Sequence, residues 1–140
     1  MKFYHPTKNI GRLGFTFKSV YPYTLYFIMR GLAGQMHRAW DILCGKGTPI
    51  VGPTKMQQYK TGYSVSYGNY VFAYSLDPAT HGLEFRFAHL DKIAWPRPGK
   101  IVKANEVFAW SGNTGASTAP HLHFEILKNG KKIDPAPYFT

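Results

Sequence analysis

After residue 45 no segment of the chain repeats apolar residues at helical spacing over the roughly eleven positions a persuasive helix needs. Instead, short runs rich in aromatic and β-branched residues follow one another: Ser64–Tyr74, Leu83–Leu90, Glu106–Trp110 and Leu122–Leu127, separated by Gly, Pro, Asn and Asp. Such runs favour strands over helices, and each predicts a strand. Asn129-Gly130, between Ile126-Leu127 and Ile133, predicts a two-residue hairpin, and Tyr67-Gly68-Asn69 predicts a turn. Asp77–Gly82 reads as an exposed loop. Trp95-Pro96-Arg97-Pro98-Gly99 cannot be a central strand, because two prolines remove ladder donors. The expected fold is all-β, mainly antiparallel, with few or no long helices. Residues 1–19 are polar and Gly-punctuated, and predict a surface loop with a short strand; Tyr21–Met29 predicts a buried strand or packed loop.

Composition removes several function classes. A chain of 140 residues suits one domain, and a hydrophobic share of 44% excludes wholesale disorder. The single cysteine, Cys44, excludes an internal disulfide framework and a Cys-only zinc knuckle. A net charge of +10 favours acidic partners, among them anionic cell-wall polymers. Only Lys131 and Lys132 are adjacent, however, so the clustered footprint of a nucleic-acid binder is missing and no nucleic-acid partner is expected. Val20–Met29 is too short to span a bilayer, contains Pro22 and runs into Arg30, so no transmembrane segment and no removable signal peptide is expected. A product carried on a virion or released at lysis would fit that expectation.

Of the six histidines, His5 and His81 read as packing and surface residues. His121-Leu122-His123-Phe124 differs, because alternation in a strand sends both imidazoles to one face and Leu122 and Phe124 to the other. His37-Arg38-Ala39-Trp40-Asp41 supplies a second pair, whose members share a face in a helix or a strand alike. Imidazole nitrogen and carboxylate oxygen both suit zinc, and a catalytic zinc site takes three protein ligands and keeps a fourth position for water. Each pair alone also fits solvent-exposed residues. Together they hold the donors that such a site requires.

Three stretches in order, HRAWD at 37–41, FAHLDKI at 87–93 and SGNTGASTAPHLHFEI at 111–126, resemble the zinc-dependent peptidoglycan endopeptidases of the lysostaphin/LytM type. Gly47-Thr48-Pro49-Ile50, Tyr67–Val71 and Asp134-Pro135 resemble further parts of that pattern, which covers the chain from about Gly31 to the C-terminus. The resemblance implies a LytM-like peptidase domain over 31–140, preceded by a segment, 1–30, packed on it. It implies one zinc ion held by His37, Asp41 and His123, with His89 and His121 as catalytic residues. It further implies hydrolysis of peptide bonds in bacterial peptidoglycan, and action at the cell wall. Ala39 and Ala119 stand where the family commonly has Gly.

Two imidazoles and one carboxylate leave a bound zinc with net positive charge, so it remains a Lewis acid toward a peptide carbonyl. Histidines beside it serve as acid, base or oxyanion donor, with the division of duties open. Glu125 continues the His121/His123 face by alternation, and suits orientation of a ligand or a structural carboxylate. Cys44 reads as a small buried hydrophobe. Gly112–Thr118 lacks the Gly-Lys-Ser/Thr ending of a phosphate loop, which excludes nucleotide binding there. The rival to an enzyme is a catalytically idle module that grips peptidoglycan or activates another hydrolase.

Overall fold

A computed structural model describes residues 2–20 and 35–139. Its strands are β1 (Arg12–Phe15), β2 (Trp40–Leu43), β3 (Pro49–Val51), β4 (Met56–Ser64), β5 (Gly68–Ser75), β6 (Leu83–Ile93), β7 (Ile101–Val102), β8 (Val107–Ser111), β9 (Leu122–Lys128) and β10 (Lys131–Ile133). They form one sheet in the order β1-β2-β9-β6-β5-β4-β7, with β10 on β9 and with β8 joining β6 to β3. Every strand pair is antiparallel. Among the described residues there is no α-helix, only 3₁₀ turns at Pro78–Thr80 and Ala136–Tyr138. No described helix is long and apolar enough to cross a membrane.

Alternation along the central strands divides the sheet into two faces. Phe85 and Phe87 of β6, Val71 and Ala73 of β5, and Leu122, Phe124 and Ile126 of β9 are fully buried on one face. Phe124 lies between Phe87 and Phe139, with ring centroids 5.3 and 6.0 Å away. The other face carries Arg86 on β6, Tyr70 and Tyr74 on β5, and His123 and Glu125 on β9, with Arg86 opposite Glu125 in the ladder. Burial on one side thus fixes the strand register, and the register presents polar side chains on the other. Replacing Phe124 by Ala opens a cavity at the centre of the core and is expected to cost about 3–5 kcal/mol, read as a lowered denaturant midpoint at unchanged slope.

Asn129 and Gly130 form the two-residue connection between β9 and β10, with φ of 51° and 77°, the left-handed pair that the Asn-Gly signal predicts. Residues 94–100 form the Pro-rich loop, anchored where the buried Gln58 amide donates to the carbonyls of Trp95 and Arg97. The run Ser64–Tyr74 is divided by a turn, as the Tyr67-Gly68-Asn69 signal predicts, although the turn sits two residues earlier: Ser64 ends β4, residues 65–67 turn, and β5 begins at Gly68. β4 was not expected, since MQQYKTGYS is largely polar. Its ladder to β5 from Met56↔Ser75 to Ser64↔Gly68 forms the strand, while only Met56 and Gln58 are buried there.

The start of the chain packs on this sheet. Phe3 is buried edge-on to Phe85, 5.5 Å away, and stacked on Tyr138 at 5.1 Å. Val51 N–H donates to the Pro6 carbonyl, and β1 pairs with β2. Tyr21–Met29 and the boundary expected near residue 31 lie outside the described residues.

Candidate active site

The pairing of β2 with β9 sets Asp41 directly opposite His123. His37 precedes β2, and the chain between is neither helix nor strand: Arg38 takes φ 58°, turning the backbone so that His37 returns over Asp41. Ala39 is fully buried and the left-handed residue is its neighbour Arg38, so the missing glycine at 39 costs no backbone strain. His37 Nε2 lies 3.3 Å from Asp41 Oδ2, and His123 Nδ1 lies 3.0 Å from Asp41 Oδ1. One ligand atom from each of His37, Asp41 and His123 falls within 4.8 Å of the other two.

The remaining ring nitrogens are held from behind. His37 Nδ1 faces the Thr16 carbonyl at 3.1 Å, and the backbone N–H groups of His37 and Arg38 donate to the carbonyls of Ser19 and Phe17. His123 Nε2 donates to Glu125 at 2.7 Å. Glu125 also accepts from the Tyr67 hydroxyl at 2.8 Å and pairs with Lys132 at 3.3 Å. Burial alone would raise the carboxyls and lower the imidazole. Hydrogen bonds outweigh it: His123 and then His37 hold Asp41 far below the carboxylate range, and His123 holds Glu125 down at about 2. Against its own burial, His123 is pushed up to about 9 by hydrogen bonds to Asp41 and then Glu125.

His89 stands where β6 carries one extra residue between its pairs with Asn69 and Val71, and has φ 61°. Its N–H donates to the Tyr67 carbonyl at 2.7 Å, and its Nδ1 meets the Thr114 carbonyl at 2.7 Å. Thr114 is itself fixed: its hydroxyl donates to the Leu90 carbonyl and accepts from Asn69 N–H. Gly68 and Gly115 meet here, both with positive φ, and a Cβ on Gly115 would stand 2.2 Å from Gly68 N. The glycines of the GNY and GNTG stretches are therefore required to bring the Thr114 carbonyl under His89. His121 is held by its Nδ1, 2.8 Å from the Ala119 carbonyl, with Nε2 3.6 Å from Asp41 Oδ1. The His89 ring lies 4.7 Å from that of His121 and 5.8 Å from that of His123. Burial first, then the neighbouring His123 and His121, push His89 down to about 4.

All five expected site residues, His37, Asp41, His89, His121 and His123, thus line one groove of about 1510 Å³. Phe15, Phe17, Tyr67 and Lys131 are among its other walls. His81 is exposed, and His5 accepts from the N–H groups of Thr7 and Asn9 in a turn outside the groove. Cys44 is buried and its thiol is in no disulfide. Sequence reasoning missed Thr16, Tyr67 and Thr114 as supports; two of these act through backbone carbonyls, which leave no side-chain signature.

Residues 35–135 match the family model described as Peptidase family M23. The chain belongs to that family. Lysostaphin of Staphylococcus simulans is 32% identical over 126 residues, covering 87% of this chain and 24% of that protein. The DD-carboxypeptidase/endopeptidase Mpg of Neisseria meningitidis is 32% identical over 101 residues, 72% of this chain and 22% of Mpg. The chain therefore spans about a quarter of the length of these curated relatives. The catalytic domain of the antimicrobial peptidase lysostaphin from S. simulans shares the fold, with a TM-score of 0.75 at 30% identity and 91% of each chain covered.

The donor set of this M23 domain fits a zinc ion. Two imidazoles and a carboxylate converge, and the second nitrogen of each imidazole is anchored, His37 on the Thr16 carbonyl and His123 on Glu125. A metal held there would take His123 through a nitrogen without a proton, leaving Nε2–H for Glu125 and Nδ1 toward the ion. Glu125→Gln removes the anionic acceptor behind that ring and is expected to weaken zinc binding about 10- to 100-fold. Competition against a chromophoric chelator measures the change, and circular dichroism shows whether the fold persists.

Proposed function

We propose that this M23 domain is a zinc-dependent endopeptidase that hydrolyses peptide bonds in the cross-links or stem peptides of bacterial peptidoglycan, acting at the cell wall. The observation that carries this reading is the convergence of His37, Asp41 and His123 to within 4.8 Å beside His89 and His121, at the floor of an open groove. Family membership and the likeness to lysostaphin support it.

His37, Asp41 and His123 would hold the ion, which supplies a Lewis acid that polarises a peptide carbonyl and acidifies water. The chain's own residues do the rest. With Nδ1–H given to the carbonyls of Thr114 and Ala119, His89 and His121 each keep Nε2 as a proton acceptor in the neutral ring. A histidine so placed takes the proton of the attacking water and, once protonated, returns one to the leaving amine. The other donates to the negative charge growing on the carbonyl oxygen once it carries a proton at Nε2. Neutral His89 suits acceptance, because its burial disfavours the protonated ring. Anchored rings need no rearrangement as the reaction proceeds.

The reading is tested by digesting purified peptidoglycan and counting new amino groups. Activity that disappears with chelator and returns with zinc is expected. Release of no amino groups from walls of several cross-link types, by zinc-loaded protein, would leave the idle-module alternative in its place.

A further inference from the structure

We infer that Ser117 and Asn113 are positioning residues for His121: with the Ala119 carbonyl they hold its Nδ1–H, so that the ring keeps one tautomer and presents Nε2 to the groove. The inference rests on the hydrolase reading above and adds two residues to that reaction.

One loop serves both histidines that stand beside the metal ligands. Residues 112–121 leave β8 and return to β9, and the loop is closed where Gly112 bridges His121. Its first half puts the Thr114 carbonyl on His89 Nδ1. That half is pinned, by the Thr114 hydroxyl on the Leu90 carbonyl and by Ala116 N–H on the Ser66 carbonyl. The second half has no such ties. Thr118, Ala119 and Pro120 are exposed, and none of them makes a backbone–backbone hydrogen bond among the described residues. Yet it is the Ala119 carbonyl that meets His121 Nδ1, at 2.8 Å. An imidazole held by that carbonyl alone would follow its movement.

Ser117 stands on the pinned side, with its N–H given to the Gly115 carbonyl at 2.9 Å. Its Oγ lies 2.5 Å from Asn113 Oδ1, 3.0 Å from the Ala119 carbonyl and 3.2 Å from His121 Nδ1. A hydroxyl has one proton to donate, and the shortest contact directs it to Asn113 Oδ1. Lone pairs on Oγ are left for His121, so Nδ1–H is shared between Ser117 and the Ala119 carbonyl. Two acceptors on one N–H fix the tautomer, and they stabilise the charge the ring carries once Nε2 holds a proton. Asn113 acts at one remove, by setting the direction of the Ser117 hydroxyl.

The test uses zinc-loaded protein and one soluble cross-linked peptidoglycan fragment that the parent chain cleaves. Ser117→Ala is expected to lower kcat about tenfold, the size of one hydrogen bond to a ring that becomes charged, with KM within about twofold and zinc stoichiometry unchanged. Ser117→Thr keeps the hydroxyl and should restore most of kcat. Asn113→Ala should lower kcat about threefold alone and add nothing to Ser117→Ala, because it acts through that hydroxyl. Nitrogen-15 spectra of the same chains read the ring without turnover, the His121 signals being assigned by their loss in His121→Ala. The parent is expected to show a protonated Nδ1 and a bare Nε2, and Ser117→Ala a mixture of tautomers. Unchanged kcat in Ser117→Ala, zinc loss accompanying a fall, or a threonine variant as slow as the alanine one would overturn the assignment. So would an identical tautomer in the parent and Ser117→Ala. A parent chain that cleaves no peptidoglycan overturns the hydrolase reading instead, and the nitrogen spectra then decide the positioning on their own.

Discussion

His123→Ala is expected to abolish zinc retention and to lower peptidoglycan hydrolysis by about a thousandfold or more, since a Lewis acid at this position supplies several kcal/mol to the barrier. Asp41→Ala should do the same. When His123 is lost, Glu125 behind it still keeps the Tyr67 hydroxyl at 2.8 Å and Lys132 at 3.3 Å. Asp41, in contrast, lies against His37, His121 and His123, and its removal leaves imidazoles facing one another. Elemental analysis after desalting gives zinc per chain, and amino-group release gives the rate. A His123→Ala protein that keeps one zinc per chain and the parent rate would refute the ligand assignment. Glu125→Gln should fall between, with weakened zinc binding and activity restored by excess zinc.

Loss of His121 has a different expected signature. His121→Ala should retain zinc at the parent stoichiometry while kcat falls about 10²- to 10⁴-fold, the usual worth of a positioned acid, base or oxyanion donor. His89→Ala should behave alike, with an added stability loss, because His89 is buried, has φ 61° and anchors the Thr114 loop through Nδ1. The pair of variants separates chemistry from metal binding. Zinc loss in His121→Ala would make His121 a ligand and require the site to be redrawn.

Much of this site was legible because period-two alternation and short spacing are local properties. His121, His123 and Glu125 share a face for the same reason that Phe124 is buried opposite them. The conformation of HRAWD was not legible, since i to i+4 spacing fits helix and strand equally. It took the left-handed Arg38 and the β2–β9 ladder to decide it. β4 escaped notice because a strand built mostly from polar residues is made by its partner, β5, and not by its own propensity. The GNTG stretch could be excluded as a phosphate loop. Its use, carrying the Thr114 carbonyl beneath His89 through the Gly68–Gly115 approach, depends on two segments far apart in sequence.

Anomalous diffraction at the zinc edge, from crystals of the zinc-loaded chain, tests the metal assignment most directly. The expected result is one peak within bonding distance of His37 Nε2, an Asp41 oxygen and His123 Nδ1, with His89 and His121 beside it and unbound. A peak at another set of side chains, or a fully loaded protein with no peak between these three, would contradict it.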